Sequence, residues 1–364
     1  MLDHRSNFKL FLHLAPPLLL CAVFALTACK TTPPPPAIDD PDLAHVVPSR
    51  SFTDATAMTM EFQLLSSPHD LKSRVDLLWY YRGKFGDMQA EREANKHILW
   101  LIANQPRATV LATPIAEISP LPSGAAFDNA RALWMGQVEA NPEDSRILGN
   151  AGVFLLREDP TRAMPLLDSA NKIDPNNTTW LKALAEGYRA QAMAREGKQR
   201  QLLVELSVSM YERAADRVRS VRERMAIFSR AASIARHLDD GCTKALSLAA
   251  KASALTGAID SASDRAVVAH TSAVIAGLCS ISQDRIDFAR DSSIVAAGET
   301  LKNQSVSLTD LDMSLAQALL DRGEKNAVLV YLDQCAKATQ SSEVRAWIEK
   351  INRGEKPDFS SYLH

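Results

Sequence analysis

Three proline breaks, Gln105-Pro106, Asn141-Pro142 and Asp174-Pro175, stand 36 and 33 residues apart in the middle of the chain. A period in that range holds two helices and a turn, a unit that cannot bury its own apolar face and must stack on its neighbours. Between the second and third breaks, Ala151, Ala163 and Ala170 alternate with Phe154 and Leu167 at helical spacing. Small side chains at those places let paired helices approach closely, and the larger ones fill the gaps between pairs. With 14 glycines in 364 residues, an architecture punctuated by glycine turns is disfavoured, and 46% apolar residues are too many for a disordered chain. The expectation is an all-α chain.

The stretch DSRILGNAGVFLLREDPTRAMPLLDSANKIDP resembles the tetratricopeptide repeat. Numbered so that Pro175 takes position 32, Ala151, Phe154, Ala163, Leu167 and Ala170 fall at 8, 11, 20, 24 and 27, with Asn150 departing from the apolar residue expected at 7. The next unit opens with Leu181, Leu184, Ala185 and Tyr188 at positions 4, 7, 8 and 11, and the preceding one keeps Ala130, Trp134 and Pro142. An earlier unit keeps Ala94, Ile98, Leu101 and Pro106 beside a helix expected over 70–81. Near the end, Leu315, Ala316, Leu319, Gly323, Val328, Leu332 and Cys335 repeat the pattern. The resemblance implies a helical-repeat solenoid over 53–200, a degenerate array or plain bundle over 201–305, and a final helix pair with tail over 306–364. Within the degenerate part, helices are expected over 222–238, 242–255, 265–278 and 284–301. The strings KHILWLIANQP and Trp347-Ile348…Ile351…Gly354…Pro357-Asp358-Phe359 resemble a group of bacterial repeat proteins that carries no assigned activity.

The N-terminus reads as an address. Arg5 and Lys9 precede the apolar run over 10–26, which Pro16-Pro17 interrupts. That is the layout of a signal peptide over 1–28, shorter and more broken than a membrane span. Leu26-Thr27-Ala28-Cys29 at its end resembles the lipobox of bacterial lipoproteins. The resemblance implies cleavage before Cys29, lipidation of its thiol, and, with lysine rather than aspartate at position 30, passage to the outer membrane facing the periplasm. Loss of Asp3, Arg5 and Lys9 moves the net charge from −2 to −3, which argues against a nucleic-acid partner. Residues 29–52, with four prolines at 33–36 and the acidic Asp39-Asp40-Pro41-Asp42, read as a lipidated, extended tether.

Catalytic motifs are sparse. There is no HExxH, CxxC, GxSxG or phosphate loop, and no histidine pair has metal-ligand spacing. Neither a cofactor nor a metal is expected. Ser169-Ala170-Asn171-Lys172 matches a bare SxxK pattern but falls inside the best repeat. His97, within HILWLI, reads as a half-buried helix residue. Cys335 and Cys279 read as core residues; a Cys242–Cys279 bridge is the alternative.

What remains is surface. The resemblance puts Leu148 and Leu155, then Lys182, Glu186 and Arg189, on the concave face. The last three lie on one face of a helix, either as an intrahelical ion-pair ladder in water or as the polar edge of a partner-binding patch. The expected function is a non-catalytic scaffold, anchored by lipid and bound to a protein partner in the cell envelope. A β-barrel-assembly lipoprotein combines the same parts. The alternative is an envelope enzyme whose site is assembled from scattered residues in 200–303.

Overall fold

The second and third proline breaks each become the turn between two α-helices, and the first leads from an α-helix into short 3-10 turns. The computed structural model describes residues 52–84 and 86–363; Cys29, the signal sequence and nearly all of the tether lie outside the described residues. After Asn141-Pro142 the chain turns and Asp144 caps the next helix, its carboxylate accepting from the amides of Arg146 and Ile147 at 2.9 and 3.1 Å. After Asp174-Pro175 the same turn ends on Asn177, which caps through the amide of Thr179. Proline fits there because its missing N–H would have no helical partner, and the short polar side chain satisfies amides that the first turn leaves open.

The described chain is all-helical, without a strand. In order it runs α1 (Asp54–Ser66), α2 (Leu71–Gly83), α3 (Met88–Asn104), α4 (Pro120–Ala140), α5 (Ser145–Leu155), α6 (Pro160–Ile173), α7 (Thr178–Met193) and α8 (Gly197–Arg217). It continues with α9 (Val221–Ala235), α10 (Gly241–Ala254), α11 (Ala262–Ser282), α12 (Ile286–Phe288), α13 (Ile294–Glu299), α14 (Ser314–Leu320), α15 (Lys325–Thr339) and α16 (Ser342–Asn352). From α4 to α11 each helix packs on the next in sequence, and α5 also touches α7, as α9 touches α11. The residues placed at the tight positions of the best repeat are buried: Ala151, Ala163, Leu167 and Ala170 have no exposed surface. So are Leu315, Ala316, Leu319, Val328, Leu332 and Cys335 near the C-terminus, where Gly323 takes the positive φ of the intervening turn.

Glycines set how closely α5, α6 and α7 approach. A Cβ on Gly149 would lie 2.5 Å from the Trp180 ring, one on Gly152 would lie 2.7 Å from Leu167, and one on Gly187 would lie 2.2 Å from the Met164 sulfur. Each glycine of α5 and α7 thus opposes a large side chain of the neighbouring helix.

Three expectations need correction. The unit before α5 lacks its first α-helix: Thr109–Ala112 and Pro114–Ala116 are short 3-10 turns. Asn150 explains itself there, since its amide donates to the carbonyls of Pro106 and Ala108 at 2.8 and 3.1 Å. An apolar residue would remove both bonds; the Ala108 carbonyl would keep the Leu111 amide, while the Pro106 carbonyl would lose the Asn150 donor. Second, the helix expected over 284–301 forms as one uninterrupted helical run over 286–299, but it widens into a π-helical stretch, Ala289–Ser293, between α12 and α13. Third, Cys279 is no plain core thiol but is bridged to Cys242, with Cα atoms 5.5 Å apart. The helices α10 and α11 run antiparallel, so the first turn of one lies beside the last turn of the other. Cys335 stays free and buried, its thiol pushed up to about 12 by burial.

His97 is fully buried rather than half-buried. Arg74 donates to its Nδ1 (3.2 Å), which leaves Nε2–H to donate to Glu61 (2.8 Å). Burial holds the ring below its usual range, against the pull of the Glu61 hydrogen bond. The Arg74 guanidinium also stacks 3.6 Å over Trp100 and donates to the Pro68 carbonyl.

Opening the Cys242–Cys279 bridge should release a closed segment with a sequence separation of 37. Chain entropy puts the loss at about 4 kcal/mol and native bridges usually give 2–5. Cys242→Ser/Cys279→Ser, and the wild type under reductant, should therefore unfold at similarly lowered denaturant concentrations. A wild type indifferent to reductant would show that the bridge contributes no stability.

Candidate functional site

The helices α5, α7, α9 and α11, one from each successive pair, carry two neighbouring pockets. The first has a volume of about 440 Å³ and is mainly apolar; Leu111, Ala116 and Ile118 from the 3-10 region, Val153, Phe154 and Leu156 at the end of α5, and Pro160 line it. Glu186, Arg189 and Ala190 of α7 close its far side. The second, of about 460 Å³, lies between α9 and α11 and is mixed in character. Met225 and Val268 line it together with Ser233 and Thr271, and Arg222, Arg230, Asp264, Asp310 and Asp312 give it charge. No histidine lines it. Among the described residues no group of three or more His, Cys, Asp or Glu is placed to hold a metal ion.

Glu186 joins the two pockets. Its carboxylate accepts from Arg189 Nε at 2.7 Å on its own helix, from Arg230 Nε at 2.9 Å on α9, and from the Tyr211 hydroxyl on α8. Burial by itself would raise the carboxyl, but the hydrogen bond and charge of Arg230, then the charge of Arg189 and the Tyr211 hydroxyl, hold it down at about 2. Tyr211 is pushed up by its own burial and by the adjacent carboxylate. One ionised group therefore ties α7, α8 and α9 together and sits on the wall of the apolar crevice. The serine hydroxyl of Ser207 adds a second α8–α7 tie by donating to the Ala185 carbonyl at 2.7 Å.

The structure sorts the five concave-face residues expected from sequence. Glu186 and Arg189 line the crevice. Lys182 does not join a ladder with them; it reaches Glu223 of α9 at 2.5 Å, a pair more than a third exposed on both sides and so worth at most about 1 kcal/mol. Leu148 and Leu155 are not on an open face at all, being 3% and 0% exposed. The 3-10 turn Thr109–Ala112 packs against α5 where an open groove was expected, and Leu148 packs with Leu167, Trp180 and Leu184. The apolar residues that do face the crevice, Val153, Phe154 and Leu156, are their sequence neighbours. Helical periodicity selects the stripe, but only the covering segment decides which edge of it stays open.

A further cationic group borders the same helices. Arg200 of α8 lies 3.4 Å from Nδ1 of His237, just past α9, and Gln201 donates to the His237 carbonyl. Arg236 donates to the Ser233 carbonyl and to the Ser314 hydroxyl. Burial, then the charges of Arg236 and Arg200, lower His237 to about 4. Neither the protein-family models nor the curated proteins contain a match to this chain.

Two outcomes are expected. A third of the Glu186 side chain is exposed, so water screens its pairs, and Glu186→Gln should cost about 2 kcal/mol rather than the 3–5 typical of a buried pair. Denaturant titration reads this, with Lys182→Ala changing stability by under about 1 kcal/mol. For His237 the folded value lies below the unfolded one near 6.5, so the unfolded chain takes up the proton first as pH falls. Its contribution is complete above about pH 6.5 and is lost by pH 4, by at most about 3 kcal/mol. His237→Asn should flatten the stability–pH curve over that window, leaving the slope due to His97; an unchanged slope would show that His237 titrates normally.

Proposed function

We propose that this chain is a lipid-anchored envelope protein whose tetratricopeptide-like array holds an extended segment of a protein partner, without catalysis of its own. The observation that carries the reading is the apolar crevice beside Glu186, flanked by arginines and continued by the mixed pocket between α9 and α11. An extended segment suits such a surface: an apolar side chain enters the crevice, and carbonyl or carboxylate groups further along meet Arg189, Arg230 and Arg222. The stacking of helix on helix through small residues supports the repeat reading over α4–α10, and the C-terminal pair α14–α15 repeats its buried positions.

Support for the envelope comes from two independent features. Leu26-Thr27-Ala28-Cys29 closes the signal-like segment, and a disulfide between Cys242 and Cys279 suits an oxidising compartment. The lipidated tether places the array at the periplasmic face, in the outer membrane if Lys30 is read as the family's sorting residue.

Two experiments test this. Wild type grown with radiolabelled palmitate should carry label and Cys29→Ala should not; an unlabelled wild type that fractionates with cytoplasmic markers would refute the anchor. A photoreactive phenylalanine at Val153 should give one or a few reproducible protein adducts in intact cells, while the same probe at the exposed Val330 of α15 should not. Equal adducts at both positions, or none at Val153, would refute the partner groove.

A further inference from the structure

α11 is shared between two cores. Ile275 and Cys279 belong to a core built by α7, α8, α9 and α10, whereas the neighbouring Val274 belongs to the core of α13, α14, α15 and α16. Helix packing between those two sets runs through α11, which packs on α9 and α10 and also on α13 and α14. Along the first half of α11 the ties are polar: Arg222 of α9 donates to Asp264 at 3.0 Å, and the Ser272 hydroxyl lies 3.2 Å from that of Ser253 of α10. At its end the tie is covalent, Cys279 to Cys242. α10 itself is seated on the end of α9, since a Cβ on Gly241 would lie 2.1 Å from the Ala235 carbonyl oxygen.

The two sulfurs of the bridge are unequal. Cys279 is 2% exposed, Cys242 is only half-buried, and both line a polar cavity of about 650 Å³ with Arg236, Asp239, Thr243 and Gln283. We propose that this bridge is a redox-operated lock: a dithiol reductant entering the cavity opens it, and the end of α11 then parts from α10. The incoming thiolate bonds to Cys242 Sγ, the Cys242–Cys279 bond breaks, and Cys279 leaves with the electron pair and takes up the proton the reductant gave. The second thiol of the reductant then displaces Cys242 and loses its own proton, so the reductant ends as a disulfide and the protein as a dithiol. Cys242 is the second residue of α10, where no side chain caps the helix, so its thiolate is released at the positive end of the helix dipole. A bridge with a reachable sulfur is the labile kind. Because α10 is seated on α9, α11 is the element that gives, pivoting on the turn Thr256–Ala258 that joins it to α10 and carrying the C-terminal core with it. The pocket between α9 and α11 has walls on both sides of this joint, Met225 and Ser233 against Thr309 and Asp312, and changes shape with it. The crevice beside Glu186 lies wholly on the near side and keeps its shape.

The test uses the purified full chain in native buffer, reduced with dithiothreitol and then labelled with iodoacetamide, each cysteine being read by mass spectrometry. Cys335, free and fully buried in the C-terminal core, is the internal control for global unfolding. Cys242 and Cys279 should both take label, and Cys335 should do so at least tenfold more slowly than either, as a local opening requires. Amide exchange over residues 273–282 should rise at least tenfold on reduction while that of α5 stays unchanged. Cys242→Ser/Cys279→Ser should show the same fast exchange without reductant, which separates the bond from any other effect of the thiol. Label on neither Cys242 nor Cys279 would show that the bridge is closed to a dithiol. Label on Cys242 alone, with exchange over 273–282 unchanged, would show that α11 stays in place once the bond is broken. Equal labelling of all three cysteines would show that the whole chain unfolds instead. Each of these three results overturns the lock.

Discussion

The contact on which the site most depends is the seating of the Trp180 ring against the bare backbone of Gly149. At 2.5 Å there is no room for even a methyl group, so α7 lies against α5 at a distance that only glycine allows. Gly152 against Leu167 and Gly187 against Met164 do the same between α5 and α6 and between α7 and the loop-side of α6. Trp180 is 3% exposed and Leu167 is fully buried, so the large side chains gain full burial where the glycines give up their own. Because α7 is held there, Glu186 falls at the wall of the crevice formed by the end of α5 and the 3-10 turns.

Charge then decides orientation rather than existence. The Glu186 carboxylate bonds to groups on α8 and α9 as well as to its own helix, so breaking it leaves two arginines without their anion. The other ion pairs near it are more open to water and contribute less. The bridge from Cys242 to Cys279 fastens the next two helices, α10 and α11, beyond the reach of that network. Stability in this part of the chain is therefore supplied by apolar packing along all these helices, one partly buried charge centre joining α7, α8 and α9, and one covalent tie between α10 and α11.

Much of this was legible in the residues. The turns after Pro142 and Pro175 are capped by Asp144 and Asn177 as a helix start requires, and the small residues of the best repeat are buried. The helix expected over 70–81 forms as Leu71–Gly83, and that over 222–238 as Val221–Ala235. What was not legible depended on contacts distant in sequence. Nothing near Leu148 or Leu155 tells that a 3-10 turn some 40 residues earlier covers α5, although Asn150, the one polar residue at an apolar position, was its local trace. Glu186 looked like a member of an i, i+4 ladder because its stronger partner, Arg230, lies 44 residues away. The bridge between Cys242 and Cys279 needs α10 and α11 to be antiparallel neighbours, which spacing alone does not state. The π-helical stretch at Ala289–Ser293 sits within an otherwise regular periodic pattern.

The central claim, that glycine opposite a large ring sets the α5–α7 approach and with it the site, is open to a double-mutant cycle at Gly149 and Trp180. Alanine is the better helix former by about 1 kcal/mol, so Gly149→Ala would be stabilising if the space were free. Overpacking of this kind costs about 1–3 kcal/mol. In the wild-type background Gly149→Ala should therefore lower the unfolding free energy by about 1–2 kcal/mol, and in a Trp180→Leu background it should be neutral or stabilising. An effect of the same sign and size in both backgrounds would contradict the account.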